Sequence, residues 1–351
     1  MKTWIKGAGA LGALLLGSTA AFAEDVTIRI GAGHPAALTY VQAWDEYFEE
    51  QLVTRAKELG HNVRLIEAWG TVARVDNVTE TVASGALDIG LAIPTYEPST
   101  LELFNFGNMM PFASTDPVLQ ARVINRMLQD LPDLSGALDD MGLTVLGMAA
   151  GENYGMALRD VPQHPEDIKG ARIAAGAVVA PWVSAMGGIP VPLPVNENYQ
   201  AMQSGLIDGN VFFISGVEAF KFYEVLDAFY QTEFGSLPGI LFIMNNDARA
   251  RLPEDLVALI DDVALEAAGE VGRLSAERDA QFADMLKDKI EIVSISAEDK
   301  QRWAEAIKPG VEEAVAEMDG RGLPASKIFG TYVAYLAAEG HELPVSYSFA
   351  Q

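Results

Sequence analysis

With 351 residues, half of them hydrophobic and 21% charged, the chain is long enough for two domains with substantial cores and too apolar to be disordered. A formal net charge of −25 gives it a surface that repels nucleic acid and anionic lipid. The absence of cysteine excludes disulfides, thiolate-ligated metal and lipid attachment through an N-terminal cysteine.

Residues 1–23 read as a cleavable signal peptide. Lys2 and Lys6 form a positive start, LGALLLG (11–17) is the centre of an apolar run, and Ala21-Phe22-Ala23 supplies an A-x-A cleavage site before the acidic Glu24-Asp25. The run is too short to span a bilayer and no later window approaches that length. The mature chain is therefore expected in a Gram-negative periplasm, with no direct membrane insertion.

VTIRIGAG (26–33) alternates like a strand, and the stretch 38–60 has helical spacing and closes on Gly60. HNVRLIEAW (61–69) reads as a second strand, about 74–84 as a helix, and ALDIGLAI (86–93) as a third strand. This β-α-β-α-β order predicts a parallel sheet covered by helices. The apolar run LTVLGMAA (143–150) reads as a strand that ends before GENYGMALRD (151–160) and presents Glu152, Asn153 and Tyr154 beyond its end. A second α/β pass follows: strand 169–176, helix 178–188, a proline-marked edge segment 189–194, then helix and strand over 196–213. SGALDIG (84–90) and SGLIDGN (204–210) echo each other, each placing a glycine cap between a helix and the next strand. LPGILFIMN (237–245) reads as another buried strand, 253–287 as one long amphipathic helix, 291–296 as a strand and 297–318 as a helix.

Signals for catalysis are missing. The four histidines, His34, His61, His164 and His341, share no metal-ligand spacing. There is no nucleophile elbow or P-loop, and GAGH (31–34) lacks the third glycine of a dinucleotide fingerprint. Among 49 carboxylates chance pairs are unavoidable. No catalytic residue, metal site or cofactor is expected. Two similar lobes on an exported, cysteine-free chain describe a binding protein with a cleft.

GGIPVPLPVNENYQAMQSGLIDG (187–209) resembles a stretch shared by the extracytoplasmic solute receptors of TRAP transporters, the DctP-like group. KFYEVLDAF (221–229), PEDIKGARI (165–173), SGALDIGLA (84–92) and MPFAS (110–114) are similar to further segments of that family, in its order and at its intervals. The resemblance implies an α/β fold of two periplasmic-binding-protein lobes with two crossing strands and a long helix spanning both. It assigns 24–148 and about 237–252 to lobe 1, 149–236 and about 288–318 to lobe 2, 253–287 to the spanning helix and 319–351 to a C-terminal segment. It further implies capture of a small organic solute between the lobes, closure over it, and delivery to the membrane permease subunits of a TRAP-type transporter by a receptor expected to be a monomer. Closure requires that the solute bind the closed state better than the open one.

The family's usual solutes are organic acids held by an arginine at the end of its K-G-x-K-I-R motif. Here that position is Ala174. A second family arginine aligns with Asn153, a position that is often Asn or aromatic aligns with Phe212, and one after the A-L-D strand aligns with Ile93. Arg159 aligns with an outward position, and Arg172 is out of phase with Ala174, so its side chain faces the opposite way. A buried carboxylate without a cationic partner costs several kcal/mol. Lost arginines together with Trp69, Tyr96, Tyr154, Trp182, Phe212 and Phe213 predict an apolar or aromatic solute, or an atypical carboxylate, held by Asn153 and aromatic walls. Glu152 and Glu67 point to a cationic solute as a further option, and His34 follows a strand end where it can line the cleft. Two other roles share the same cleft: a ligand-sensing partner of a membrane receptor, and a lobe-closing enzyme.

Overall fold

The computed structural model describes residues 24–349; the signal-peptide assignment lies outside them. One sheet of nine strands runs through the molecule: β1 (Glu24–Ala32), β2 (His61–Trp69), β3 (Ile89–Ala92), β4 (Leu143–Leu158), β5 (Arg172–Ala174), β6 (Ile189–Val191), β7 (Gly209–Phe213), β8 (Ala228–Asn245) and β9 (Glu291–Ser294). Its order is β2-β1-β3-β8-β4-β7-β5-β6, with β9 added to β8. β1 pairs parallel with β2 and β3, and β5 pairs parallel with β6 and β7. The two parallel sets are the lobes foreseen from the repeated β-α-β pattern, and Pro190 lies in the edge strand β6, where a missing N–H is tolerated.

The lobes are joined by β4 and β8, antiparallel strands of 16 and 18 residues. The strand expected to stop at residue 150 continues to Leu158, and the segment read as a strand at 237–245 is the second half of one that begins at Ala228. The sequence disguises both because neither alternates cleanly. β4 shifts register against β8 between Val145 and Gly147, Ala149 and Ala150, Ala150 and Asn153, and Tyr154 and Met156. β8 carries left-handed backbone at Glu233 (φ 54°) and Gly235 (φ 115°) opposite this irregular stretch. A Cβ at Gly235 would lie 2.8 Å from Ser114 O, so glycine is needed there for both its φ and its closeness to neighbouring backbone. Bulges bend strands and re-aim side chains, and these lie where β4 and β8 pass from one lobe to the other.

The helix Glu254–Leu286 is 33 residues long. Its apolar stripe runs from Leu256, Ile260 and Val263 in the first-lobe core, shared with Trp44 and Phe48 of the helix Thr39–Glu58, to Leu286 in the second-lobe core beside Phe222 and Phe229. The helix Ala297–Gly320 also touches both lobes, although 288–318 was expected to belong to the second. Trp303 Nε1 donates to Trp182 O at 2.8 Å, while Arg321, just past the helix end, pairs with Glu102. The C-terminal segment holds a helix, Ala325–Ala338, not foreseen from the sequence. It buries Ile328, Phe329 and Tyr332, and Tyr332 Oη donates to Gln120 Oε1 at 2.7 Å on the helix Pro117–Asp130. No helix among the described residues is long and apolar enough to cross a membrane.

Candidate functional site

At the strand crossing, the alternation of β4 sends Glu152 and Tyr154 to one side and Asn153 to the other. Glu152 and Tyr154 line a cavity of ≈ 170 Å³ between the lobes. The first lobe adds His34, Leu38, Tyr40, Ile93 and Tyr96; the second adds Val195, Phe212, Phe213 and Phe220; the long helix adds Ser275. The aromatic groups brace one another. The Phe212 and Phe213 rings stack with centroids 4.3 Å apart, and Tyr154 meets Phe213 edge-on at 5.6 Å. His34 meets Tyr40 and Tyr96 edge-on at 5.9 and 5.7 Å, and its Nδ1 shares a 2.8 Å hydrogen bond with Tyr40 Oη. Gly216 sets the position of the Phe212 ring, since a Cβ there would overlap it.

Seven of the expected positions therefore meet at one cavity: His34, Ile93, Tyr96, Glu152, Tyr154, Phe212 and Phe213. Three do not. Asn153, expected to hold the solute, points to the far side of β4. Its Nδ2 donates to Asp279 Oδ2 at 2.8 Å and to Thr115 O at 3.0 Å, and its backbone N–H donates to the same Asp279 oxygen at 2.9 Å. The register shift before Asn153 takes that N–H out of the ladder with β8, and Asp279 satisfies it. Ala174 is buried in the second-lobe core with Ala157, Met202 and Ile207, away from the cavity lining. Trp69 packs edge-on to Trp44 and donates its Nε1 to Asp45 Oδ2 at 3.1 Å. Trp182 is core, packed against Phe234, and Glu67 is an exposed carboxylate beside Asp45 and Glu49.

The sequence reading missed Tyr40 and Ser275. Tyr40 was hidden in a helix read only for its periodicity, although it stands at the start of that helix just past a strand-end loop. Ser275 had a usable signal: it interrupts the apolar stripe of the long helix four residues after Val271.

The electrostatics of the cavity are unusual for an anion site. Among the described residues no lysine or arginine lines it. Arg159 instead donates to Met202 O on the second lobe, and Arg172 pairs with Asp208 at 2.8 Å. Burial holds His34 well below its ordinary pKa, at about 4, so its imidazole is neutral. Glu152 is 6% exposed and its Oε1 has no hydrogen-bond partner. Burial pushes its carboxyl up to about 8. The Ser215 hydroxyl opposes that shift, the Asp279 charge adds to it, and the Thr39 hydroxyl and Arg278 charge oppose it more weakly. The Ser275 hydroxyl, 1% exposed, is also unpartnered. The site thus offers aromatic faces, one desolvated carboxyl and several hydroxyls, the unpartnered one of Ser275 among them.

The family described as bacterial extracellular solute-binding protein, family 7, matches residues 49–318. The ectoine-binding periplasmic protein TeaA of Halomonas elongata is 26% identical over 325 residues, 88% of this chain and 90% of that protein. The C4-dicarboxylate-binding periplasmic protein DctP of Shewanella loihica is 29% identical over 150 residues, 41% of this chain and 44% of that protein. Among solved structures, a TRAP periplasmic solute binding protein from Desulfovibrio salexigens superposes with a TM-score of 0.78 at 20% identity, covering 91% of this chain and 98% of its own. A TRAP solute binding protein from Rhodoferax ferrireducens, in complex with copurified benzoate, gives 0.77 at 22% identity, covering 90% and 98%. At these identities the superpositions establish the shared two-lobed fold.

Proposed function

The chain belongs to the bacterial extracellular solute-binding proteins of family 7, and from that premise we propose that its solute is a compact, largely apolar or aromatic molecule that is not a dicarboxylate. The observation that carries this reading is the cavity itself, with walls of Tyr40, Tyr154, Phe212 and Phe213 and no lysine or arginine among its lining residues. Two carboxylates buried there would each lack a cationic partner, at a cost of several kcal/mol. Its size supports the same reading, since an engineered apolar cavity of about 150 Å³ accepts a single benzene ring.

The protein acts as a TRAP-type solute receptor. Both lobes and the crossing strands between them wall the cavity, so closing the lobes on a solute desolvates it and couples occupancy to shape. Delivery to a membrane permease, residence in the periplasm and a role in binding without turnover are the parts of this reading that rest on the family rather than on the cavity. A relative aligned over 88% of this chain is an ectoine-binding protein, so binding a solute other than a C4-dicarboxylate has a counterpart in the family.

Thermal-shift screening of the mature chain tests the proposal. Monocyclic and small neutral or zwitterionic compounds should raise Tm, whereas succinate, fumarate and malate should leave it unchanged. Stabilisation by C4-dicarboxylates alone would overturn it.

A further inference from the structure

Glu152 has no role in the fold that accounts for its burial. A carboxyl in an apolar enclosure loses its hydration, and the Ser215 and Thr39 hydroxyls and the Arg278 charge offset that loss only in part. Asp279, on the other side of β4, takes two hydrogen bonds from Asn153 on Oδ2 and leaves Oδ1 without a partner; Glu152 Oε1 is also without one, and of the two residues only Glu152 lines the cavity. Its surroundings complement a positive charge. Tyr154, Phe212 and Phe213 line the same cavity, and a cation over an aromatic face gains most when both are shielded from water. Arg278, whose charge favours ionised Glu152 only weakly, is turned to Gln42 Oε1 at 3.2 Å and lies over the Phe282 ring. Thr39, close enough to Glu152 to favour its charged form, is the first residue of a 20-residue helix that has no side-chain cap. The positive end of that helix supports an ionised Glu152 once a partner is present.

We propose that Glu152 and the aromatic walls select solutes bearing a cationic nitrogen, an ammonium or amidinium head on a compact body. The proposal rests on the cavity being the solute site, and it adds the sign of the charge bound there. In the empty cavity at neutral pH the carboxyl is protonated; a permanent cation entering beside it takes the place of that proton. Binding therefore releases about one proton below pH 8, and affinity rises about tenfold per pH unit up to that point. The titratable or charged groups facing Glu152 are Tyr154 on its own strand, Tyr40 on the first helix, His34 and Tyr96 on the first-lobe loops, and Asp279 and Arg278 on the long helix. Burial lowers His34 and raises the Tyr40 and Tyr154 hydroxyls, so none of these three changes charge between pH 6 and 8. Asp279 is pushed up to about 6 by burial and has largely ionised by pH 7.

Three isosteres isolate the charge: choline, its neutral carbon analogue 3,3-dimethylbutan-1-ol, and the anion 3,3-dimethylbutanoate. Isothermal titration calorimetry from pH 6 to 8.5, in two buffers of different ionisation enthalpy, reads both affinity and proton release. Choline should bind at least about tenfold more tightly than the alcohol at pH 8, the anion should not bind, and choline binding should release close to one proton at pH 7. Glu152→Gln should weaken choline by at least about tenfold, abolish the proton release and erase the preference for choline over the alcohol. The proposal is overturned if choline shows no binding at about 10 mM. It is also overturned if the alcohol or the anion binds best, or if affinity for the alcohol falls as pH rises through 8, which would make Glu152 a protonated donor to a neutral solute. A Phe212→Trp variant, which fills the cavity, separates this from the underlying reading. If the larger ring leaves binding of every probe intact, the cavity is not the solute site. If it blocks a probe that shows no preference for positive charge, the site stands and only the charge assignment falls.

Discussion

Glu152 and Asp279 are buried carboxylates on opposite sides of the same strand, and burial raises both above the ordinary carboxylate range, to about 8 and about 6. Asp279 receives two hydrogen bonds from Asn153, at 2.9 and 2.8 Å, which tie the long helix to the bulge in β4. Asp279 Oδ1 and Glu152 Oε1 are both left without a partner, but only Glu152 lines the cavity. Native proteins seldom leave buried polar atoms unpartnered, and the exceptions concentrate where something else binds. The contrast separates a carboxylate that ties the long helix to the strand crossing from one that lines the cavity.

The largest expected effect is on the pH dependence of the empty protein. Each of these groups keeps its proton in the folded state up to a higher pH than in the unfolded chain. Between the ordinary carboxylate value, about 4, and the raised ones, the unfolded state has therefore lost protons that the folded state retains. Stability should fall as pH rises through that window and level off near 8, with Glu152 contributing most. Glu152→Gln should match the parent near pH 4.5 and exceed it at pH 8.5 by on the order of 3 kcal/mol in denaturant unfolding. A difference that stays flat with pH would mean that the Glu152 carboxyl is hydrated, and the contrast with Asp279 would collapse.

Next in size is Asp279→Ala. It strands the Asn153 backbone N–H and side-chain amide at the crossing, and should cost about 1–3 kcal/mol, a drop in Tm of several degrees. Asp279→Asn keeps an acceptor oxygen and should cost less. If Asp279→Ala were neutral while Glu152→Gln destabilised the empty protein, the two roles would have to be exchanged.

The sequence carried the lobes because their strands and helices obey local rules. HNVRLIEAW marks β2 to the residue, and the glycines at 85 and 205 end helices in left-handed conformation before β3 and β7. It did not carry the crossing strands, whose alternation is broken by bulges that only pairing with a distant strand explains. The same bulges undid the reading of Asn153, since a register shift decides which face a residue takes and no local pattern records it. Aromatic residues at strand ends were more legible: Tyr96, Tyr154, Phe212 and Phe213 reach one cavity because strand ends on facing lobes converge. The absence of an arginine at Ala174 was also visible, and it is matched by a cavity without lysine or arginine. What took its place was not visible, because the significance of Glu152 depends on an unpartnered oxygen.

A third raised carboxyl gives the contrast an external standard. Asp45, half-buried on the helix Thr39–Glu58, is pushed up to about 7 by burial and by Glu67, against the donation from Trp69 Nε1. Here burial, the larger cause, is joined by a crowd of acids at the surface, with Asp45, Glu49 and Glu67 placed together, and no cavity among the described residues encloses the group. Solvent and salt screen such repulsion, so the effect should be small. Asp45→Asn keeps an oxygen for the Trp69 N–H and removes one of the clustered charges, so it should raise Tm by roughly 1–2 °C at pH 8 and by nothing measurable at pH 5. Half-molar salt should reduce the gain by the share that repulsion contributes. The rise conferred by Glu152→Gln should persist in the same salt, because a cavity carboxyl cut off from solvent is not reached by the ions that screen a surface cluster. Equal salt sensitivity in the two variants would place Glu152 in the same class as Asp45, as a crowded surface acid rather than a group held for a solute.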